Sequence, residues 1–246
     1  MKVKLFSLVL LGLGFSLAQS PDFVAMLQLI DERSNFQSDL SASVSLTSND
    51  PEEGTENSVI QFFRRDADES FLLLIQKPEN QLGQGYLNIE DGLWFYDPES
   101  RQFSYTSLAE NFQGSDARND DFNSSSLSTD YQVSSYEEGT LGKYEVFILD
   151  LEALNDEVVY PFKRMWVTKD NSLVLKSEDY SLTKRLLRTS YYPSYAKVDN
   201  SFIADKIIFV DALVEGRKTE IAISNISTAA IPDYVFTKAY VERVNR

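Results

Sequence analysis

Leu40, Ala42, Val44 and Leu46 alternate with Ser41, Ser43 and Ser45. A period of two puts every second side chain on one face, so this run reads as a strand with one buried side. The pattern recurs along the chain. Ser58 to Arg65, Ser70 to Gln76, Gly85 to Ile89, Leu93 to Tyr96 and Gln102 to Thr106 are predicted strands. So are Tyr144 to Leu151, Phe162 to Thr168, Leu173 to Tyr180, Leu186 to Tyr195, Phe202 to Leu213 and Thr219 to Ile226. Turn clusters separate them: Asn49-Asp50-Pro51-Glu52-Glu53-Gly54, Glu90-Asp91-Gly92, Asp97-Pro98-Glu99-Ser100 and Lys169-Asp170-Asn171-Ser172. Such short, polar, bend-forming links join neighbouring strands antiparallel. The expected fold class is mostly antiparallel β (α+β), a strongly curved sheet with helices at its ends.

One helix is predicted to follow Ser20-Pro21-Asp22, a cap with proline at the first turn. Phe23, Leu27 and Ile30 give it one apolar face, and it should fade near Ser34-Asn35. Residues 107–135 break the strand pattern. They are rich in Ser, Asn and Asp, with isolated Phe112, Phe122 and Leu127, and a short helix is expected near Asn119 to Ser124. A stretch this long within a domain is more often a functional loop or lid than a connector. Ile231-Pro232-Asp233 should open a terminal turn or helix. No linker divides residues 19–246, which are expected to form a single domain.

Residues 1–18 read as a cleaved signal peptide. Lys2 and Lys4 precede an apolar run from Leu5 to Leu17, and Ser16-Leu17-Ala18 offers small residues for cleavage before Gln19. The run is short for a bilayer span, which takes about 20 residues. With no cysteine in the chain, no lipid can be attached at the cleavage site and no disulfide can form. The expectation is an exported, non-lipidated, periplasmic protein without a transmembrane segment in the mature chain; secretion or association with the outer membrane stays open. Its fold must rest on core burial.

Composition narrows the chemistry. There is no histidine, which removes the commonest general base and metal ligand. Without cysteine as well, most zinc, iron and copper sites and His-based nucleophilic triads are unavailable. Gly142-Lys143 lacks the Ser/Thr of a phosphate loop, because Tyr144 follows, and Gly83-Gln84-Gly85 lacks its third glycine at Asn88. Asp116, Asn119, Asp120, Asp121 and Asn123 do not match a calcium loop and read as a solvated acidic loop. The reading is therefore no enzyme, no catalytic residue, no metal and no cofactor. A formal net charge of −15 also argues against nucleic acid as a partner.

What remains is aromatic and aliphatic surplus. The chain holds 16 Phe and 13 Tyr against 10 Gly. Phe71-Leu72-Leu73-Leu74-Ile75 and Leu93-Trp94-Phe95-Tyr96 are apolar at successive positions, so both faces of those strands are apolar. One face of such a sheet packs against helices, and the other fills a core or lines a cavity.

The order of several short motifs resembles the LolA-like family of outer-membrane lipoprotein-sorting proteins. Leu93-Trp94-Phe95-Tyr96-Asp97-Pro98 is followed by Phe112-Gln113-Gly114-Ser115-Asp116, Asp120-Asp121-Phe122 and Asp130-Tyr131. Met165-Trp166-Val167-Thr168-Lys169-Asp170, Gly216-Arg217-Lys218-Thr219-Glu220-Ile221 and Ile231-Pro232-Asp233-Tyr234-Val235-Phe236 complete the series. Departures are Ser181-Leu182-Thr183, where a glycine-containing turn is usual, Ala204 in place of a proline, and Tyr144 in place of a cysteine. The resemblance implies an incomplete barrel closed by helices, of the LolA/LolB type, with an apolar cavity for lipoprotein acyl chains or other lipids. It further implies transfer towards the outer membrane, with an inner-membrane exporter and an outer-membrane acceptor as partners. The candidate cavity residues are Phe62, Phe71, Leu73, Ile75, Leu87, Trp94, Tyr96 and Trp166, and the candidate lid residues are Phe112, Phe122 and Leu127. A second reading stays open: a surface-exposed or secreted adhesion protein on the same fold, using the acidic loop as its contact surface.

Overall fold

The computed structural model describes residues 21–90 and 92–244. The expected signal segment, residues 1–18, lies outside the described residues. Helix α1 covers Phe23–Ser34, and the Asp22 carboxylate caps it by accepting the N–H of Ala25 at 3.0 Å. Leu27 and Ile30 are buried on its inward face.

Two meanders follow. The first holds β1 (Leu40–Asp50), β2 (Gly54–Arg65), β3 (Ser70–Lys77), β4 (Gly85–Ile89), β5 (Gly92–Asp97) and β6 (Gln102–Thr106). The second holds β7 (Tyr131–Leu141), β8 (Tyr144–Ala153), β9 (Phe162–Thr168), β10 (Val174–Tyr180), β11 (Leu186–Val198), β12 (Ser201–Asp211) and β13 (Lys218–Ser227). They join where β1 pairs with β13, giving one antiparallel sheet of 13 strands. Its edges, β6 and β7, share no ladder, so the sheet curves without closing into a barrel. Residues 107–130 run from one edge to the other, through 3₁₀ turns at Phe112–Gly114 and Asn119–Phe122 and the single-turn α2 at Leu127–Asp130.

Register shows which side chains share a face. Val44 stands opposite Ile60 and Ile223, and Ile60 opposite Ile75. These residues, with Leu46, Phe62, Phe71, Leu73, Leu93 and Ile221, form the inner core, into which Phe112 and Phe122 descend from the crossing segment. On the same face α1 packs over β7–β9, where Leu27 and Ile30 meet Leu149, Leu151, Met165 and Val167.

The outer face of β2–β5 is also covered. Leu72, Leu74, Leu87 and Tyr96 pack under Ile231, Val235, Phe236 and Val241, which come from a 3₁₀ turn at Asp233–Phe236 and helix α3 (Lys238–Val244). The fit is close at Gly85, where an added Cβ would lie 3.1 Å from Val241 Cγ1 and 3.3 Å from Leu74 Cδ2. Arg65 fastens this tail. Its guanidinium binds both carboxylate oxygens of Asp39 (2.7 and 3.0 Å), reaches Asp233 at 2.8 Å, and lies over the Phe236 ring. Asp39 in turn accepts the N–H of Ile231 at 2.6 Å.

β7 was hidden in the sequence, which placed Tyr131 to Ser135 in a loop and assigned no strand between Thr106 and Tyr144. As an edge strand it exposes most of its side chains, so Ser and Glu replace the apolar alternation expected of a half-buried strand. Among the described residues, no helix is long and apolar enough to cross a membrane.

Candidate functional site

The concave face of the sheet is incompletely filled. A cavity of about 280 Å³ remains between the sheet, α1 and the crossing segment, near the lower end of the roughly 300–1,000 Å³ typical of small-ligand pockets. Ile30 of α1, Phe62 of β2, Met165 of β9, Ile203 and Ile207 of β12, and Ile221 and Ile223 of β13 make its apolar wall. Phe122 and Leu127 roof it from the crossing segment. Tyr192 and Tyr195 of β11 stand at the same wall, and burial pushes both phenol pKa values up, so their hydroxyls stay neutral. The Tyr195 hydroxyl donates to the Val174 carbonyl at 2.6 Å.

One end of the cavity is polar, and the register explains it. Lys163 on β9 stands opposite Asp179 on β10, and Asp179 opposite Arg188 on β11. The three form a row across adjacent strands on the inner face. Asp179 is fully buried and meets Lys163 Nζ at 2.8 Å and Arg188 at 3.0 Å. Burial alone would raise the Asp179 pKa, but the two cations prevail and hold it below the ordinary value. Burial likewise opposes the charge on Lys163 and Arg188, and the facing carboxylates hold both pKa values up. The row carries one surplus positive charge, which Asp121 of the crossing segment balances. Arg188 donates to both Asp121 oxygens, at 2.6 and 2.9 Å.

The crossing segment is fixed along its length. Thr219 of β13 donates to the Asp116 carboxylate at 3.0 Å and accepts the Asp116 N–H at 2.9 Å. The Asp31 carboxylate of α1 accepts from Ser125 Oγ and from the N–H groups of Leu127 and Ser128, so one helix caps another. Asn35 exchanges two 2.7 Å hydrogen bonds with the Ser125 backbone. The expectation of a solvated acidic loop is therefore corrected in part, since only Asp120 among its acidic and amide residues stays exposed. Asp116 and Asn119 are buried, and Asp121 is drawn inward, because Arg188 and Thr219 on the sheet supply partners that outcompete water.

The candidate residues named from sequence separate into groups. Phe62, Phe122 and Leu127 line the cavity. Phe71, Leu73 and Ile75 lie on the same inner face, fully buried in the core beside it. Phe112 is fully buried there too, its ring 4.8 Å from Tyr86 and 5.1 Å from Phe122. Leu87, Trp94 and Tyr96 are on the outer face: Leu87 pairs with Leu72 and Trp94, and Tyr96 with Gly85. Leu87 and Tyr96 lie beneath the tail, and the Lys238 ammonium sits over the Trp94 ring. Trp166 occupies the outer face of β9, between Met165 and Val167, with Lys176 Nζ 4.1 Å from its ring centre. Sequence reasoning passed over Met165, Ile203, Ile207, Ile221 and Ile223. Only Ile221 and Ile223 carried a signal, since Glu220, Ala222 and Ser224 alternate with them as small or polar neighbours; Met165, Ile203 and Ile207 each adjoin another apolar residue, which hides the inward face.

A family model described only as "uncharacterized protein" matches residues 67–243. The chain belongs to that family, and its fold is LolA-like. The LolA-like chain superposes on a LolA superfamily protein from Nitrosomonas europaea with a TM-score of 0.77 at 24% identity, covering 88% of this chain and 97% of that one. An outer membrane lipoprotein-sorting protein domain from Vibrio parahaemolyticus gives 0.80 at 18% identity, over 89% and 98%. A DUF1329 family protein from Desulfovibrio piger gives 0.78 at 19% identity, over 88% and 98%. At these identities the likeness concerns the fold. No curated protein matches the chain.

Proposed function

We propose that this LolA-like protein is a periplasmic carrier that shields an acyl chain of a lipoprotein or other lipid on its way to the outer membrane. The observation that carries the reading is the apolar cavity roofed by Phe122 and Leu127. Burying a methylene is worth about 0.8 kcal/mol, so a long chain crosses water at a cost on the order of 10 kcal/mol unless it is covered. The cavity removes that cost by presenting Ile30, Met165, Ile207 and Ile221 in place of water. The crossing segment is the lid in this reading. Cargo with more than one chain requires it to lift, because 280 Å³ is too small for bulky lipid.

An export signal at residues 1–18 would bring the chain to the periplasm. Loading and release would then depend on an inner-membrane exporter and an outer-membrane acceptor. The buried charges pair with one another and serve the fold, so no catalytic step is assigned to them. The adhesion reading is disfavoured because its proposed contact surface, the acidic loop, turns inward to Arg188 and Thr219.

The experiment is native mass spectrometry and lipid extraction of protein purified without detergent from the periplasm of its host. The expected result is a stoichiometric lipid or acylated species. Protein that emerges free of lipid, and takes none up when mixed with total host lipid, would sink the carrier reading.

A further inference from the structure

The charges around the cavity do not balance. Four charged residues line it: Arg64, Asp120, Asp121 and Lys163. Arg64 pairs with Asp66 at 2.6 Å, Asp121 with Arg188 and Lys163 with Asp179. Asp120 alone has no cation at ion-pair distance among the described residues. Its carboxylate accepts one hydrogen bond, from Asn123 Nδ2 at 3.1 Å, while its N–H is used on the Leu108 carbonyl. The backbone turn that holds it also holds Phe122, whose ring stands 5.9 Å from that of Phe62, and both rings line the same cavity. Asp120 further lines a polar cleft of about 460 Å³ beyond the crossing segment, so it stands at the passage between an apolar chamber and a wet one.

That position suits the polar end of an amphiphile whose tail lies in the chamber. Resting on the carrier reading, we infer that the site selects single-chain amphiphiles with a cationic polar end and disfavours those with an anionic one. A cation there gains the one unbalanced carboxylate of the wall. An anion faces the same carboxylate with the nearby cations already committed to Asp66, Asp121 and Asp179. Asp120 stays exposed at that passage, where the neighbouring Asp121 carboxylate repels its charge. A bound cation would relieve that unfavourable setting.

The test uses three compounds with one dodecyl tail: dodecylammonium, an uncharged dodecyl glycoside and dodecanoate. Each displaces an uncharged fluorescent acyl probe from full-length mature protein, below micellar concentrations and at physiological salt, where charges beyond about 8 Å are screened. Dodecylammonium is expected to bind at least tenfold tighter than dodecanoate, about 1.4 kcal/mol. Asp120→Asn, which keeps size and the contact with Asn123, should reduce that ratio below threefold. Asp120→Glu should retain it, and so should Glu56→Gln, which removes an exposed charge elsewhere. Equal or tighter binding of dodecanoate overturns the inference. So does a preference that survives in Asp120→Asn, since the net negative charge of the whole protein would then be its source. Either outcome leaves the carrier reading standing. If the probe and all three compounds fail to bind, the carrier reading falls and this inference with it.

Discussion

Arg188 on β11 holds both carboxylate oxygens of Asp121, at 2.6 and 2.9 Å, and so ties the segment that roofs the cavity to the sheet beneath it. The same guanidinium binds Asp179, so the tie is continuous with the charged row across β9–β11. The connection is strong only when complete, because each member loses its hydration and depends on the others for compensation.

Removing the centre of this row should therefore be costly. Arg188→Met leaves Asp121 and half of Asp179 uncompensated, and breaking one partner of a buried ion pair costs about 3–5 kcal/mol. Arg188→Lys keeps the charge but cannot form the two-pronged contact. Its expected effect is a smaller loss of stability with a selective loss of amide protection in residues 116–128. Hydrogen exchange read by mass spectrometry checks both. Unchanged protection in that segment would show that Asp121 does not fasten it.

The tail on the outer face should titrate. The Arg65 hydrogen bonds, joined by the Ile231 N–H, hold the Asp39 pKa below the ordinary 3.8 despite burial. A carboxylate depressed in the folded state stabilises it above the ordinary carboxylate range. That contribution fades as pH falls from about 5 through the depressed value. Asp39→Asn should be less stable than wild type at neutral pH and should lose less stability between roughly pH 6 and pH 3. Urea midpoints measured across that range decide it, and parallel curves for the two proteins would contradict the assignment.

Gly85→Ala should be destabilising although glycine in a strand is usually replaceable at a gain. The new methyl group meets Val241 Cγ1 at 3.1 Å, and overpacking a filled site costs about 1–3 kcal/mol. A double change with Val241→Ala should recover most of the loss. Thermal melts of the two single variants and the pair provide the cycle.

Filling the cavity should separate binding from folding. Ile207 is half-buried and lines the open space, so Ile207→Trp can occupy it with a strain of about 1–3 kcal/mol or less. Affinity for an uncharged acyl probe is expected to fall at least tenfold, while far-ultraviolet dichroism stays unchanged. A probe that binds equally well would place its site elsewhere.

The fold was legible because strand after strand carries its own pattern. Leu40 to Leu46 alternate, and the turns after Asp50, Asp97 and Lys169 close hairpins where the structure has them. β7 was illegible because an exposed edge strand has no buried face to write into the sequence. The cavity was harder for a related reason. Phe71 to Ile75 is apolar throughout because Phe71, Leu73 and Ile75 face inward while Leu72 and Leu74 meet the tail. Nothing within those five residues says which face borders a cavity. The same ambiguity applies to Trp94 and Tyr96, whose partner is a C-terminal segment more than a hundred residues away. The tie between Asp121 and Arg188 was equally unreadable, since it depends on the register of β9, β10 and β11 and not on local spacing.

The most direct measurement is a crystal structure of the protein bound to an acyl chain brominated near its end, with the bromine located by anomalous scattering. The account predicts a bromine peak on the inner face, among Phe62, Met165, Ile207 and Ile221, beneath Phe122. A peak on the outer face near Trp94, or none inside the sheet at saturating ligand, would contradict it.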